Sequence, residues 1–128
     1  MKAEEVLKDW GSFKVFSKNE TTTVKILEIN RDARISLQRH NKRSEQWICL
    51  EGEFEVVCGV DTVTLKKGDN IVIGQGIVHR AKGMDRYNRL LEISYGEFDE
   101  EDIERIEDDY GRIIKKKSSF FGSNKKNK

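Results

Sequence analysis

The stretch that decides the fold is Asp32–Gly52, which reads DARISLQRHNKRSEQWICLEG. It holds two short apolar runs joined by a polar loop, a pattern typical of two consecutive β-strands. Gln38 and His40 are two residues apart, so on a strand both side chains point to the same face. Glu45 follows across the loop and begins the second run.

The rest of the chain from residue 12 to residue 95 has the same character. Its apolar runs are short, rich in β-branched and aromatic residues, and separated by glycines. Many short strands with almost no helix predict an all-β sandwich or closed barrel. The candidate strands are Ser12–Phe16, Thr22–Ile29, Arg34–Gln38, Gln46–Leu50, Phe54–Cys58, Thr62–Leu65, Asn70–Ile73 and Arg89–Tyr95.

One short helix is expected near the C-terminal end of the domain. Asp99 can cap it, and the acidic residues that follow suit the positive end of the helix dipole. Ile103 and Ile106 would form its apolar stripe, and Gly111 can end it.

Length and charge limit the function classes. A chain of 128 residues predicts one domain, over residues 1–112. The remaining residues 113–128 hold six lysines and no acid, which predicts a basic, flexible tail. A net charge of +1 favours neither a nucleic acid nor a membrane as partner.

The two cysteines, Cys49 and Cys58, lie inside strand-like runs. If these runs form a hairpin turning at Glu51-Gly52, the two thiols are far apart, and no disulfide is expected. Free thiols, the lack of a secretory segment at the start and the lack of a membrane-length apolar run predict a cytoplasmic protein.

The chain contains only two histidines, His40 and His79. With Gln38 and Glu45 they offer two imidazoles, an amide oxygen and a carboxylate, which suit a borderline divalent metal ion. A barrel that brings three strands together could converge them on one point. Residue types alone leave ordinary core or surface roles open.

The spacing of these residues resembles the two motifs of the cupin family. The first motif is Gly, five residues, His-x-His, four residues, Glu, six residues, Gly; the second is Gly, five residues, Pro-x-Gly, two residues, His. The corresponding positions here are Asp32, Gln38, His40, Glu45 and Gly52 in the first motif and Gly68, Gly74, Gly76 and His79 in the second.

Within that family the chain is similar to type II mannose-6-phosphate isomerase. The resemblance implies a cupin barrel, a double-stranded β-helix, whose metal ligands are Gln38, His40, Glu45 and His79. It implies one divalent ion, zinc first and otherwise manganese, iron, cobalt or nickel. It further implies interconversion of mannose 6-phosphate and fructose 6-phosphate through an enediolate, and a homodimer. The segments that carry this resemblance are Trp10-Gly11-Ser12, Ser36–His40, Arg43–Ile48, Gly76–Arg80 and Glu107–Arg112.

Other residues of the expected site follow from strand parity. Arg34 and Ser36 should share the inner face of the ligand strand, where Arg34 would bind the substrate phosphate or form an internal salt bridge. Lys25 is a second phosphate candidate or a charge at the barrel rim. Arg80 and Glu92 are the catalytic candidates. Arg80 follows the expected ligand His79 and either contacts the substrate or points to solvent if the strand stays regular, and Glu92 is either a general base or an ion-pair partner of an arginine.

Two other functions remain open. Asn41, Lys42 and Gln46 stand where the isomerases often have histidine. These differences are compatible with a non-catalytic module that binds a metal or a sugar phosphate in nucleotide-sugar metabolism. Another cupin activity, such as a metal dioxygenase or a metal-free sugar epimerase, is the third reading.

Overall fold

The computed structural model describes residues 3–112, and within that range every regular element is a β-strand. The expected all-β class is therefore confirmed. None of these residues forms a helix long and apolar enough to cross a bilayer. The strands are β1 (Glu4–Lys8), β2 (Gly11–Val15), β3 (Thr22–Glu28), β4 (Leu37–Arg39), β5 (Arg43–Glu51), β6 (Glu53–Cys58), β7 (Asp61–Lys66), β8 (Asn70–Ile73), β9 (His79–Gly83), β10 (Arg89–Gly96) and β11 (Glu104–Glu107).

Two antiparallel sheets enclose the core, and the β1–β2 hairpin forms a small sheet of its own. One large sheet has the order β3-β10-β5-β8, and the other has the order β11-β4-β9-β6-β7. Alternate side chains of both sheets point inward, as the pleat of a strand requires. Trp47 and Leu90 of the first sheet meet Phe54 and Ala81 of the second, and all four are 0% exposed.

The chain changes sheets at Gly52. Strands β5 and β6 are consecutive, yet they pair with different neighbours, so the hairpin expected at Glu51-Gly52 is wrong. Gly52 has a φ of +81°, and a Cβ there would lie 2.1 Å from the carbonyl oxygen of Tyr87. Only glycine fits this crossing. Cys49 and Cys58 are both free thiols, as expected.

The expected C-terminal helix is also wrong, because this segment forms β11 along the edge of β4. Arg39 of β4 donates to Glu104 of β11 at 2.8 Å. The Asp102 carboxylate accepts two backbone N–H groups from the loop after β4. Ile106 is 40% exposed, so the isoleucines form no buried stripe. Tertiary contacts override the local helix signals here. The tail expected over 113–128 lies outside the described residues.

Candidate metal centre

Three strands bring the expected ligands together. Gln38 lies in β4 directly opposite His79, the first residue of β9, and His40 follows the end of β4. Glu45 comes from β5 in the facing sheet. His40, Glu45 and His79 are 2%, 1% and 1% exposed, and one ligand atom from each lies within 4.8 Å of the others. The convergence expected from the sequence is present.

Hydrogen bonds set the tautomer of both imidazoles. His40 Nδ1 donates to the carbonyl oxygen of Asp102 at 2.8 Å, and His79 Nδ1 donates to that of Ile77 at 2.9 Å. Each Nε2 therefore carries a lone pair that faces the cluster. Burial lowers the pKa of His40 and of His79 below 6.5, so both rings are neutral at pH 7. This is the protonation state that a metal ligand needs.

The buried Nε2 of His79 has no hydrogen-bond partner among the described residues. Buried polar atoms are almost always satisfied, so such an atom calls for a missing ion or water. The carboxylate of Glu45 lies 3.6 Å from it and 3.5 Å from His40 Nε2. Two imidazole nitrogens and one carboxylate oxygen fit a divalent transition metal.

The indole of Trp47 fixes the Glu45 carboxylate. Its Nε1 donates to Glu45 Oε1 at 3.1 Å, and its ring lies edge-on to His79 with centroids 5.3 Å apart. Glu45 and Trp47 are two residues apart on β5, so they share a face. Trp47 is 0% exposed and belongs to the core, and its indole also orients a candidate ligand.

Arg43 is a buried cation inside the ligand cluster that sequence reasoning missed. It is 6% exposed and donates to Glu45 Oε2 at 3.1 Å and to His40 Nε2 at 3.2 Å. Its guanidinium also lies 4.3 Å from the ring centroid of Phe98. A metal ion would take the same two ligand atoms, so Arg43 and a metal compete for them. Its position two residues before Glu45 on β5 was the available signal.

Gln38 reaches the cluster with its amide nitrogen rather than its oxygen. Ser36 Oγ donates to Gln38 Oε1 at 2.5 Å, while Gln38 Nε2 lies 3.3 Å from His40 Nε2. Ligation through the oxygen therefore requires a 180° rotation of the terminal amide. Ser36 is 1% exposed and orients Gln38, and it is not among the residues that line the cavity beside the cluster. Its expected role in substrate binding stays a prediction.

A cavity of about 200 Å³ lies beside the cluster, and Lys25 and Glu92 line it with Gln38 and His40. Glu92 is 5% exposed, and its Oε2 lies 3.6 Å from Lys25 Nζ. Burial raises the pKa of Glu92, and the negative charge of Glu45 raises it further. The structure thus brings both expected residues to the cavity and gives Glu92 a perturbed carboxyl group.

Arg34 and Arg80 do not reach this cavity. Regular strand geometry begins only at β4, so parity does not carry back to Arg34, which is partly exposed and donates to the Asp109 carboxylate at 2.6 and 2.9 Å. The expectation that Arg34 faces the ligands is wrong. Arg80 follows His79 on β9 and therefore points to the opposite face, where it donates to Glu107 of β11 at 3.2 Å. Arg80 supports β11 instead of facing the cluster.

Two other arginines, both from the C-terminal segment, line the cavity instead of Arg34 and Arg80. Arg105, on β11, and Arg112 both line the cavity beside His40 and Glu92. The helix expected over this segment hid Arg105, because only a strand paired with β4 places it opposite Gln38.

Solved structures with a similar fold identify the class of protein. The cupin domain of Cnp3 from Schizosaccharomyces pombe matches with a TM-score of 0.57 and 16% identity, over 75% of this chain and 87% of that one. The epimerase RmlC of Mycobacterium tuberculosis matches with a TM-score of 0.63 and 12% identity, over 81% and 66%. At such identities the likeness establishes the fold alone. The fold is that of a cupin, a double-stranded β-helix.

The family follows from the sequence. The family model described as "Mannose-6-phosphate isomerase C-terminal" matches residues 1–108, and the chain belongs to this family. It is 34% identical to the alginate biosynthesis protein AlgA of Pseudomonas aeruginosa over 110 residues, 84% of this chain and 23% of that protein. It is 28% identical to the mannose-1-phosphate guanylyltransferase ManC of Salmonella typhimurium over 111 residues, 85% of this chain and 23% of that protein. The chain thus spans about a quarter of the length of these relatives.

Proposed function

We propose that this chain is a metal-dependent aldose–ketose isomerase that interconverts mannose 6-phosphate and fructose 6-phosphate. One observation carries the proposal: a buried His40–Glu45–His79 cluster, with both Nε2 lone pairs facing inward, lies beside a cavity lined by the buried carboxyl group of Glu92. Membership of the mannose-6-phosphate isomerase C-terminal family supports the choice of substrate.

The proposed cofactor is one divalent ion held by His40, Glu45 and His79, with Gln38 as a fourth ligand after rotation of its amide. Zinc is the first choice for this donor set, and manganese, iron, cobalt and nickel also suit it. When bound, such an ion polarises the sugar oxygens as a Lewis acid and stabilises negative charge on them. Arg43 gives up its hydrogen bonds to His40 and Glu45 when the ion binds.

Glu92 is the proposed general base. Isomerisation of the aldose removes the proton on C2 and places a proton on C1, while the hydroxyl proton of O2 passes to O1. A single carboxylate on one side of the sugar can carry the carbon-bound proton between the two carbons. Burial raises the pKa of Glu92 toward the working pH, which helps a base that must also return its proton. Lys25, 3.6 Å away, orients this carboxylate.

The test is a coupled assay for fructose 6-phosphate after metal-free protein is reloaded with each of the five metals. We expect turnover with at least one of them. Glu92→Gln should lower turnover by about 10²–10⁴-fold with its metal still bound. Glu55→Gln, a matched change at an exposed position of β6, should leave turnover intact. Absence of fructose 6-phosphate with every metal, in protein shown to be folded, would exclude the proposal.

The position of Arg43 favours a second candidate, a non-catalytic module that binds a sugar phosphate without a metal. Its guanidinium already bonds both His40 Nε2 and Glu45 Oε2, so a cation is present at the cluster without any metal. Calorimetry on metal-free protein separates the two. Tight binding of mannose 6-phosphate that is unaffected by added metal, together with no turnover, would support the second candidate.

A further inference from the structure

Four basic side chains line the cavity beside the His40–Glu45–His79 cluster, and none of them is a candidate metal ligand. Lys25, Arg43, Arg105 and Arg112 line it, against the two carboxylates of Glu92 and Glu100. Three of the cations have acidic partners: Lys25 pairs with the Glu92 carboxylate, and Arg43 and Arg112 pair with those of Glu45 and Asp108. Arg105 alone of the four has no ion pair among the described residues.

The guanidinium of Arg105 is also unsatisfied as a hydrogen-bond donor. Its Nε is buried and has no partner among residues 3–112. Buried unpaired donors are rare in folded proteins and usually mark a bound ion or water. A guanidinium presents a planar fork of donors whose preferred partners are carboxylates and phosphates. Arg105 therefore has the chemistry of an anion-binding residue.

The two acids of β11 do not neutralise Arg105 because other arginines hold them, and within the described part of the chain neither Glu92 nor Glu100 of the cavity forms an ion pair with it. Glu104 binds Arg39 with its Oε1 2.7 Å from the arginine nitrogen, and Glu107 binds Arg80 at 3.2 Å. These two ion pairs hold β11 on both sides of Arg105. The same contacts that fix the strand therefore leave its central cation available.

The register of β11 places this cation on the same sheet face as the candidate ligand Gln38. Arg105 is directly opposite Gln38 in the β11–β4 pair, and directly paired residues project from the same face of a sheet. Gln38, His40 and Arg105 line the same cavity. A ligand that carries both an anionic group and hydroxyl or carbonyl oxygens matches this arrangement.

We propose that Arg105 binds the phosphate group of a sugar phosphate in this cavity and thereby sets the specificity for phosphorylated sugars. This inference rests on the proposed function for the identity of the sugar but not for the phosphate. Arg105 thus takes the role expected of Arg34 from the sequence. Arg112, which is half exposed and already bound to Asp108, provides a second positive charge on the same wall.

Calorimetric titration of the protein, metal-free and metal-loaded, with inorganic phosphate, mannose 6-phosphate and mannose tests the inference. In Arg105→Gln we expect binding of inorganic phosphate and of mannose 6-phosphate to weaken by about tenfold or more, because one charge-assisted pair is lost. Binding of mannose should not change. Arg31→Gln, which removes the same charge from an exposed position outside this cavity, should match wild type.

Arg105→Lys controls for a folding defect, because it keeps the positive charge but loses the planar set of guanidinium donors. It should bind phosphate more weakly than wild type and more tightly than Arg105→Gln. Equal phosphate affinity in wild type and Arg105→Gln, or no phosphate binding by wild type at millimolar concentrations, would overturn the inference. Phosphate binding that depends on Arg105 in a protein without isomerase activity would instead reject the isomerase and retain the phosphate site.

Discussion

Asp102 connects the C-terminal segment to the His40–Glu45–His79 cluster, and its replacement by alanine tests the candidate metal site most directly. Its two carboxylate oxygens accept the backbone N–H groups of Asn41 and Lys42 at 3.0 and 2.8 Å. Its own carbonyl oxygen accepts the Nδ1–H of His40 at 2.8 Å. Asp102→Ala removes the two carboxylate bonds and leaves local backbone bonds, such as that from the Asp102 N–H to the Asp99 carbonyl, to hold this segment.

The expected magnitudes follow from these contacts. Two hydrogen bonds at about 0.5–1.5 kcal/mol each give a loss of about 1–3 kcal/mol in the free energy of unfolding. The looser carbonyl orients His40 less well, and the loss of such an outer contact lowers metal affinity by about 10–100-fold. The two effects have separate readouts, because the first is seen without metal and the second only with it.

Urea denaturation of the metal-free protein measures the first effect, and competition with a chelator measures the second. Glu101→Ala is the matched control, because it removes the same charge from an exposed neighbouring position. We expect Glu101→Ala to keep the wild-type metal affinity. If Asp102→Ala and Glu101→Ala bound metal equally tightly, the carbonyl of Asp102 would not orient His40 and the reasoning would be wrong.

Three further predictions concern pH, catalysis and the sheet crossing. Because burial lowers the pKa values of His40 and His79, the unfolded chain binds more protons than the folded chain as the pH drops below 6.5. The free energy of unfolding of metal-free protein should therefore fall over this range, and urea titrations between pH 6.5 and about 5 should show a smaller slope after both histidines are changed to glutamine. Glu92→Gln should lower kcat by about 10²–10⁴-fold with full metal content and no loss of stability at pH 7, as steady-state kinetics and elemental analysis can check. Gly52→Ala should destabilise the protein more than Gly68→Ala, which carries only the left-handed backbone cost of roughly 1–2 kcal/mol; equal costs in urea would contradict the clash described above.

The spacing in the sequence predicted that the candidate ligands converge, because side chains alternate between the two faces of a strand. Gln38 and His40 are two residues apart near the end of one strand, and both reach the cluster. The same rule places Lys25 and Glu92 on inward positions of β3 and β10, and the two meet at 3.6 Å. The all-β class followed from the short apolar runs alone.

What the sequence missed depends on contacts between distant segments. The local pattern of acids and isoleucines after Asp99 favours a helix. In the structure Arg39 binds Glu104 and the loop after β4 binds Asp102, so this segment runs along β4 as a strand. Because the segment is a strand, Arg105 lines the cavity, and no local sequence pattern predicts this position. Arg34 was misplaced because strand parity was extended beyond the first residue of β4.

The attachment of β11 to β4 also bears on the order in which the site is completed during synthesis. The candidate ligands from Gln38 to His79 leave the ribosome first, and a growing chain can begin to fold from its N-terminal side. The Asp102 carbonyl that orients His40 and the guanidinium of Arg105 emerge later, in the segment just before β11 and in β11 itself. A nascent chain that ends before Asp102 has all the candidate ligands but not the final orientation of His40. Metal captured at that stage would be held less tightly than in the finished domain.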